Sequence, residues 1–220
     1  MPRSTTKWVS AGLLACLAAF AVPASAGPVV YDNGAPNQAS GNNMSFAYQA
    51  EDFVLAANTT ISDVHFWSLE AATAYRGGFY WALHDNSGGA PGALIADGFQ
   101  KVVTRTPGAV AGFGTEFRND FDLNTATALL AGTYWLVLHN GAFGNLTDDG
   151  LDFLWETTAV AKGFAGQEDY GFGFGSNGAE HAFQLTGPNV VNVPEPMTGG
   201  LVAAALAALL FTRQRARRRG

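Results

Sequence analysis

The chain has 220 residues, 12 of them basic and 18 acidic, a formal net charge of −6 and a single cysteine, Cys16. That length suits one domain with a sizeable core, one cysteine excludes a disulfide framework, and the acidic balance excludes nucleic acid as a natural partner. The charge is also unevenly spread: residues 27–194 hold five basic residues, Arg76, Lys101, Arg105, Arg118 and Lys162, against 17 acids, a balance of −12.

Residues 1–26 carry Arg3 and Lys7 first, then an apolar stretch from Val9 to Val22, then Ala24-Ser25-Ala26. A basic start, a short apolar run and a small-x-small site make a secretory signal peptide, cut after Ala26. A lipoprotein signal built on Cys16 is the alternative, but Leu14 is bulky for it and the apolar run continues past the cysteine. The mature chain then carries no thiol.

From Gly27 to about residue 190 the patterns are short and of period two. "TISDVHFWSL" (60–69) sets Ile61, Asp63, His65 and Trp67 on one face and Val64, Phe66 and Ser68 on the other. "GFYWALHD" (78–85) alternates Phe79, Trp81 and Leu83 with Tyr80, Ala82 and His84, and "GTYWLVLHN" (132–140) alternates Tyr134, Leu136 and Leu138 with Trp135, Val137 and His139. Both read as strands buried on two faces. "EDFVLA", "LIADGFQKVV", "EFRNDFDL", "LDFLWET" and "HAFQLTG" supply five more strands, separated by the turn clusters "DNSGGAPG", "TPGAVAGFG", "HNGAFGN" and "SNGAEH". "NTATALLAG" is at most a turn or two of helix. The expected fold class is all-β, an antiparallel jelly-roll-like β-sandwich over 27–190, with a barrel as the alternative. Its core is expected from Phe53, Val64, Phe66, Phe79, Trp81, Leu83, Leu136, Leu138, Phe153 and Phe183.

Candidate chemistry is sparse. "GFGSNG" (173–178) matches G-x-G-x-x-G, but a strand pattern follows where a dinucleotide site needs a helix. Asp148, Asp149 and Asp152 sit in one glycine-containing loop and are the candidate ligands for a structural Ca²⁺, the one cofactor the pattern allows; a solvated acidic turn is the simpler reading. "YDNG" (31–34) and "AEDF" (50–53) could lend a further acid at a strand end. His65, His84, His139 and His181 do not cluster at zinc spacing. No G-x-S-x-G elbow occurs. Glu116, Asp120 and Asp122 fall on one face of a strand, read as charged and solvent-facing. Among the aromatics, Tyr75 and Tyr170 lie in loop-like stretches and are the candidate ligand-binding residues, as sugar-binding sandwiches set aromatic faces against pyranose rings.

The chain closes with Pro194-Glu195-Pro196, an uncharged run from Gly199 to Phe211, and Arg213, Arg215, Arg217, Arg218 and Arg219. A helix of that run spans about 20 Å, short of a hydrocarbon core of roughly 30 Å, and snorkelling arginines make up the difference. The basic flank places the preceding domain outside. In this order the three features resemble the PEP-CTERM sorting signal, here over 191–220 with a short transmembrane helix at 199–212. The resemblance implies an exosortase that cuts near Pro194-Glu195-Pro196 in a Gram-negative, exopolysaccharide-producing bacterium. The order "AEDFVLAANTTISDVHFW", "LHDNSGGAPGALIA", "LLAGTYWLVLHN", "HAFQLTG" is similar to a β-sandwich ectodomain common among such surface proteins, for which no activity is implied. The expected partners are signal peptidase, exosortase, the inner membrane before processing, and extracellular polysaccharide. The expected protein is a secreted, surface-displayed, non-enzymatic structural or carbohydrate-binding matrix component. The alternative is a secreted carbohydrate-active hydrolase, which requires two converging carboxylates, one with a perturbed pKa.

Overall fold

The computed structural model describes residues 27–112 and 114–188. The signal segment, the Pro-Glu-Pro mark, the 199–212 run and the arginine cluster lie outside the described residues. Within them are thirteen strands and no helix: β1 (Val29–Asp32), β2 (Pro36–Asn43), β3 (Tyr48–Leu55), β4 (Thr59–Glu70), β5 (Phe79–Asn86), β6 (Pro91–Gln100), β7 (Thr104–Ala111), β8 (Gly114–Leu129), β9 (Gly132–Asn140), β10 (Phe153–Thr158), β11 (Gln167–Asp169), β12 (Gly175–Ser176) and β13 (Phe183–Thr186).

They form two antiparallel sheets. In the first, β4 is the spine: β8 runs along one side, while the other side is shared by β13, at Asp63–Phe66, and β10, at Ser68–Glu70. β1, β2 and β7 complete it beyond β13, β10 and β8. The second sheet runs β12-β11-β3-β9-β5-β6. All ten residues expected in the core are buried in one cluster drawn from both sheets, joined by Trp155, Ile61, Met44 and Leu185. Burial of each large side chain contributes about 1.5–3 kcal/mol. The indole N–H groups of Trp81, Trp135 and Trp155 are satisfied by Asn124, Asn86 and the Ala182 carbonyl, which lets large rings sit in the interior without an orphaned donor.

The two-faced burial of β5 and β9 is as the alternation predicts. Phe79, Trp81, Leu83, Leu136 and Leu138 face the other sheet, and Tyr80, Ala82, Trp135 and Val137 form a second cluster with Tyr48 and Ala50 on the outside.

Several segments depart from the sequence reading. Ile61 does not share the face of Asp63, His65 and Trp67. A register shift between Ile61 and Asp63 breaks the period of two and returns Ile61 to the core beside Val64 and Phe66. "NTATALLAG" is not helical; it continues β8, because pairing with β4 overrides its local preference. "TPGAVAGFG", read as a turn, contributes most of β7. β1 and β2 carry no period-two signal and were not expected as strands.

β2 ("PNQASGNN") is held by close approach and side-chain bonds instead. Gln38 takes a left-handed φ of 56°, and Asn37 and Ser40 both bond the Thr157 hydroxyl at 2.8 Å. At Gly41 a Cβ would stand 2.5 Å from the Trp155 carbonyl oxygen and 2.8 Å from the Leu154 Cβ, neither of which can swing aside. Gly41→Ala is therefore expected to cost about 1–3 kcal/mol, read as a lower melting temperature with faster amide exchange in β2 and β10. An unchanged melting curve would show that β2 does not dock this tightly.

Candidate functional site

The outer face of the second sheet is not simply covered. β3, β5 and β9 present Tyr48, Tyr80, His84 and Val137 on it, and the chain after β9 and after β11 arches over them. The space between is a groove of about 660 Å³, lined also by Leu94, Asp97, Phe143, Leu146, Asp169 and Phe174. That volume is in the range of small-molecule sites, about 300–1,000 Å³.

Each wall has an identifiable support. The Gly144 N–H donates to the Tyr48 hydroxyl at 2.7 Å, which fastens the loop bearing Phe143 and Leu146. From the other side, the Arg76 guanidinium donates to the carbonyls of Ser45, Asn145 and Thr147 and to Asp149. The Asp169 Oδ1 accepts the N–H groups of Gly171, Phe172 and Gly173 at 2.6–2.8 Å. One carboxylate oxygen thus organises the whole turn after β11.

The lining is aromatic. Tyr48, Tyr80 and Phe143 lie with ring centroids 5.0–5.7 Å apart, and His84 meets Phe174 edge-on at 6.1 Å. Phe143 is 69% exposed, and Phe172, next in the chain to the lining residue Gly171, is 98% exposed. Phe143 thus opens to solvent, while Tyr48, Tyr80 and Val137 form the buried floor of the groove. The polar groups are few. The Tyr80 hydroxyl donates to Asp97 at 3.3 Å; burial, then the Asp97 charge, raises the Tyr80 pKa, so the phenol stays protonated.

Tyr170 follows Asp169 beside this groove, 47% exposed and stacked on Phe46 at 5.8 Å. Tyr75 is elsewhere. It packs on Phe79 and Phe153 in the core and lies under the Arg105 guanidinium, 4.0 Å from its ring centre, in a separate cavity with Glu70 and Phe117. The two tyrosines are not brought to one site, and the groove is lined instead by strand residues such as Tyr48 and Tyr80 together with loop residues such as Phe143 and Phe174.

The acidic loop is engaged in its own folding. Asp148 accepts the Gly150 N–H at 2.9 Å, Asp149 accepts that of Leu151 at 3.1 Å and pairs with Arg76 at 2.9 Å, and Asp152 accepts from Asn43 at 3.2 Å. Hydrogen bonding to Arg76 draws the Asp149 pKa down. Among the described residues no group of three or more His, Cys, Asp or Glu side chains is placed to hold a metal ion.

Glu116, Asp120 and Asp122 share one face of β8, as their spacing predicts, but that face is not an open charged surface. Glu116 is buried, and Gln38 donates to it and to Glu156 together. Asp120 accepts from His65 at 2.7 Å and Arg118 at 2.8 Å, and Asp122 stands opposite Asp63 across the β4–β8 pairing, whose proximity raises the Asp122 pKa. Burial, opposed by the Gln38 N–H and reinforced by Glu116, pushes Glu156 up to about 7. A carboxyl pair with one raised pKa is what a hydrolase needs. Yet Glu116 and Glu156 are both buried beneath β2 and are bridged by Gln38, whereas glycosidase carboxyls flank an open site that admits a sugar.

A second carboxyl was missed by sequence reasoning. Glu51 points into the sandwich, where its Oε2 accepts both the backbone N–H and the Nδ1 of His181 at 2.8 Å. Both residues are fully buried, and His181 packs against Trp155 at 4.7 Å. Burial, with Glu180 and Asp52 adding repulsion, pushes Glu51 up to about 10; burial pulls His181 down to about 3. The pair is thus neutral and sealed from solvent, a structural element of the interior.

"GFGSNG" contributes the two-residue β12 and its flanking turns, with no helix after it. Among the described residues no helix is long and apolar enough to cross a membrane. Compared with protein-family models, curated proteins and solved structures, the chain matches none.

Proposed function

We propose that this is a secreted, surface-displayed, non-enzymatic protein that binds carbohydrate through the aromatic groove, as a component of an extracellular polysaccharide matrix. The observation that carries the reading is the groove itself: a concave space with Tyr48 and Tyr80 at its floor on the sheet, the open ring of Phe143 on the loop above, and a few hydroxyl and carboxylate groups beside them. Pyranose rings offer an apolar face to such rings and hydroxyls to Tyr80, Asp97 and Asp169. The burial of both Glu116 and Glu156 weighs against the hydrolase reading.

Export and sorting belong to the same proposal. They rest on Ala24-Ser25-Ala26, on Pro194-Glu195-Pro196 and on the arginine cluster that ends the chain. We read the fold as jelly-roll-like because the chain passes repeatedly between two antiparallel sheets, from β2 to β3, β3 to β4, β4 to β5 and β8 to β9. Two measurements test the function. Protein recovered from the cell surface and medium is expected to begin at Gly27 and end near Pro196 by intact mass; a chain still ending at Gly220 refutes the sorting. The same material is expected to bind immobilised polysaccharide, with binding lost in Phe143→Ala. Failure to bind any glycan refutes the groove's assignment.

A further inference from the structure

We infer that the groove selects an ammonium-bearing sugar, a de-N-acetylated hexosamine unit, over neutral and anionic ones; the inference rests on the carbohydrate reading of the groove. Two independent features of the lining point to a cation. First, its carboxylates face no lysine or arginine. Asp97 stands exposed on β6, and Asp169 uses one oxygen for three loop amides, leaving the other outside those bonds. None of the five lysines and arginines of residues 27–194 is among the lining residues. An anionic sugar would therefore meet like charge without compensation.

Second, the neutral part of the lining includes the aromatic rings of Tyr48, Tyr80, Phe143 and Phe174. The negative face of an aromatic ring attracts a cation, most strongly where solvent is partly excluded. Phe143, 69% exposed, supplies such a ring, backed by the buried Tyr48 and Tyr80 within one contact cluster. The Tyr80 hydroxyl donates to Asp97, which holds the carboxylate against the rings. A protonated amine on a pyranose would then meet carboxylate and π-density together, while the ring's apolar face stacks. An N-acetyl group in its place removes the charge and enlarges the substituent.

The test is calorimetry on the full chain in a sugar-free, non-ionic detergent at pH 6. The probes are a glucosamine tetrasaccharide, its N-acetylated counterpart and a cellulose tetrasaccharide. The glucosamine tetramer is expected to bind about tenfold more tightly than either neutral probe. That preference is expected to collapse in Asp97→Asn and to weaken as salt is added. Asp148→Asn, on the surface loop, is the control for attraction by the domain's total charge and is expected to leave the preference intact. Equal or tighter binding of the neutral probes overturns the inference while the carbohydrate reading stands. Equal erosion by Asp148→Asn overturns it also, since the selectivity then belongs to net charge. No binding of any probe takes the carbohydrate reading down with it.

Discussion

Replacing Trp155 with alanine is expected to lower the unfolding free energy by about 3–5 kcal/mol, the range for deleting a fully buried large aromatic side chain. Trp155 has no exposed surface and sits where β10 meets both β4 and β2. Its ring touches Phe66 and Phe183 edge-on and covers His181 at 4.7 Å. Removing it opens a cavity against rings that are themselves fixed by the core and cannot collapse into it. It also leaves the Ala182 carbonyl without its 3.0 Å partner, and a buried unpaired acceptor costs about 1–3 kcal/mol by itself. Trp155→Phe separates the two effects: it keeps most of the volume, so its smaller loss measures the hydrogen bond. Denaturant melts of both variants check this. A loss under about 1 kcal/mol in Trp155→Ala would mean that the two sheets do not pack around this ring.

How much of this was readable beforehand depends on whether the information was local. The core was, because Phe79, Trp81 and Leu83, or Leu136 and Leu138, repeat every second residue, and that spacing alone assigns them a common face. The two-sided burial of β5 and β9 was legible for the same reason. β2 was not: its Pro, Asn, Ser and Gly residues have poor strand preference, and it is a strand only because β10 offers bonds from 120 residues away. The Ile61 shift was invisible because a bulge is set by the partner strand. For the site, Tyr170 lies beside the groove, but Tyr48 was not singled out and Tyr80 was read only as one face of a strand. Alternation gives the face, not whether the loop above that face presses down or stands off. The Glu51–His181 pair did leave a signal. Gln49, Glu51, Phe53 and Leu55 share one phase, as do His181, Phe183 and Leu185, so an acid and a histidine each stood in register with core residues.

That buried pair gives the second large effect, a stability that declines as the medium turns alkaline. Glu51 is raised from the ordinary carboxyl range to about 10, chiefly by burial. A raised carboxyl stabilises the fold fully below its unfolded pKa, near 4.3, and loses that contribution as pH climbs toward the folded value. Asp52, pushed up to about 6 by burial, and Glu156, at about 7, act in the same direction over the lower part of the window. His181 works on the other limb. Its pKa is depressed, so its contribution is present above about 6.5 and lost as pH falls toward 3. Stability is therefore expected to peak in mildly acidic solution and to fall from neutral pH upward. Glu51→Gln keeps the shape of the neutral acid and an oxygen to accept the His181 N–H, but has nothing to ionise. Its melting curve is expected to match that of the wild type near pH 4.5. Above that it should become the more stable protein, the gap growing by at most about 1.4 kcal/mol per pH unit up to about pH 10. Thermal melts of both chains from pH 4 to 10 read this directly. Parallel curves across that span would place the Glu51 carboxyl in water, and the sealed, neutral pair would have to be abandoned.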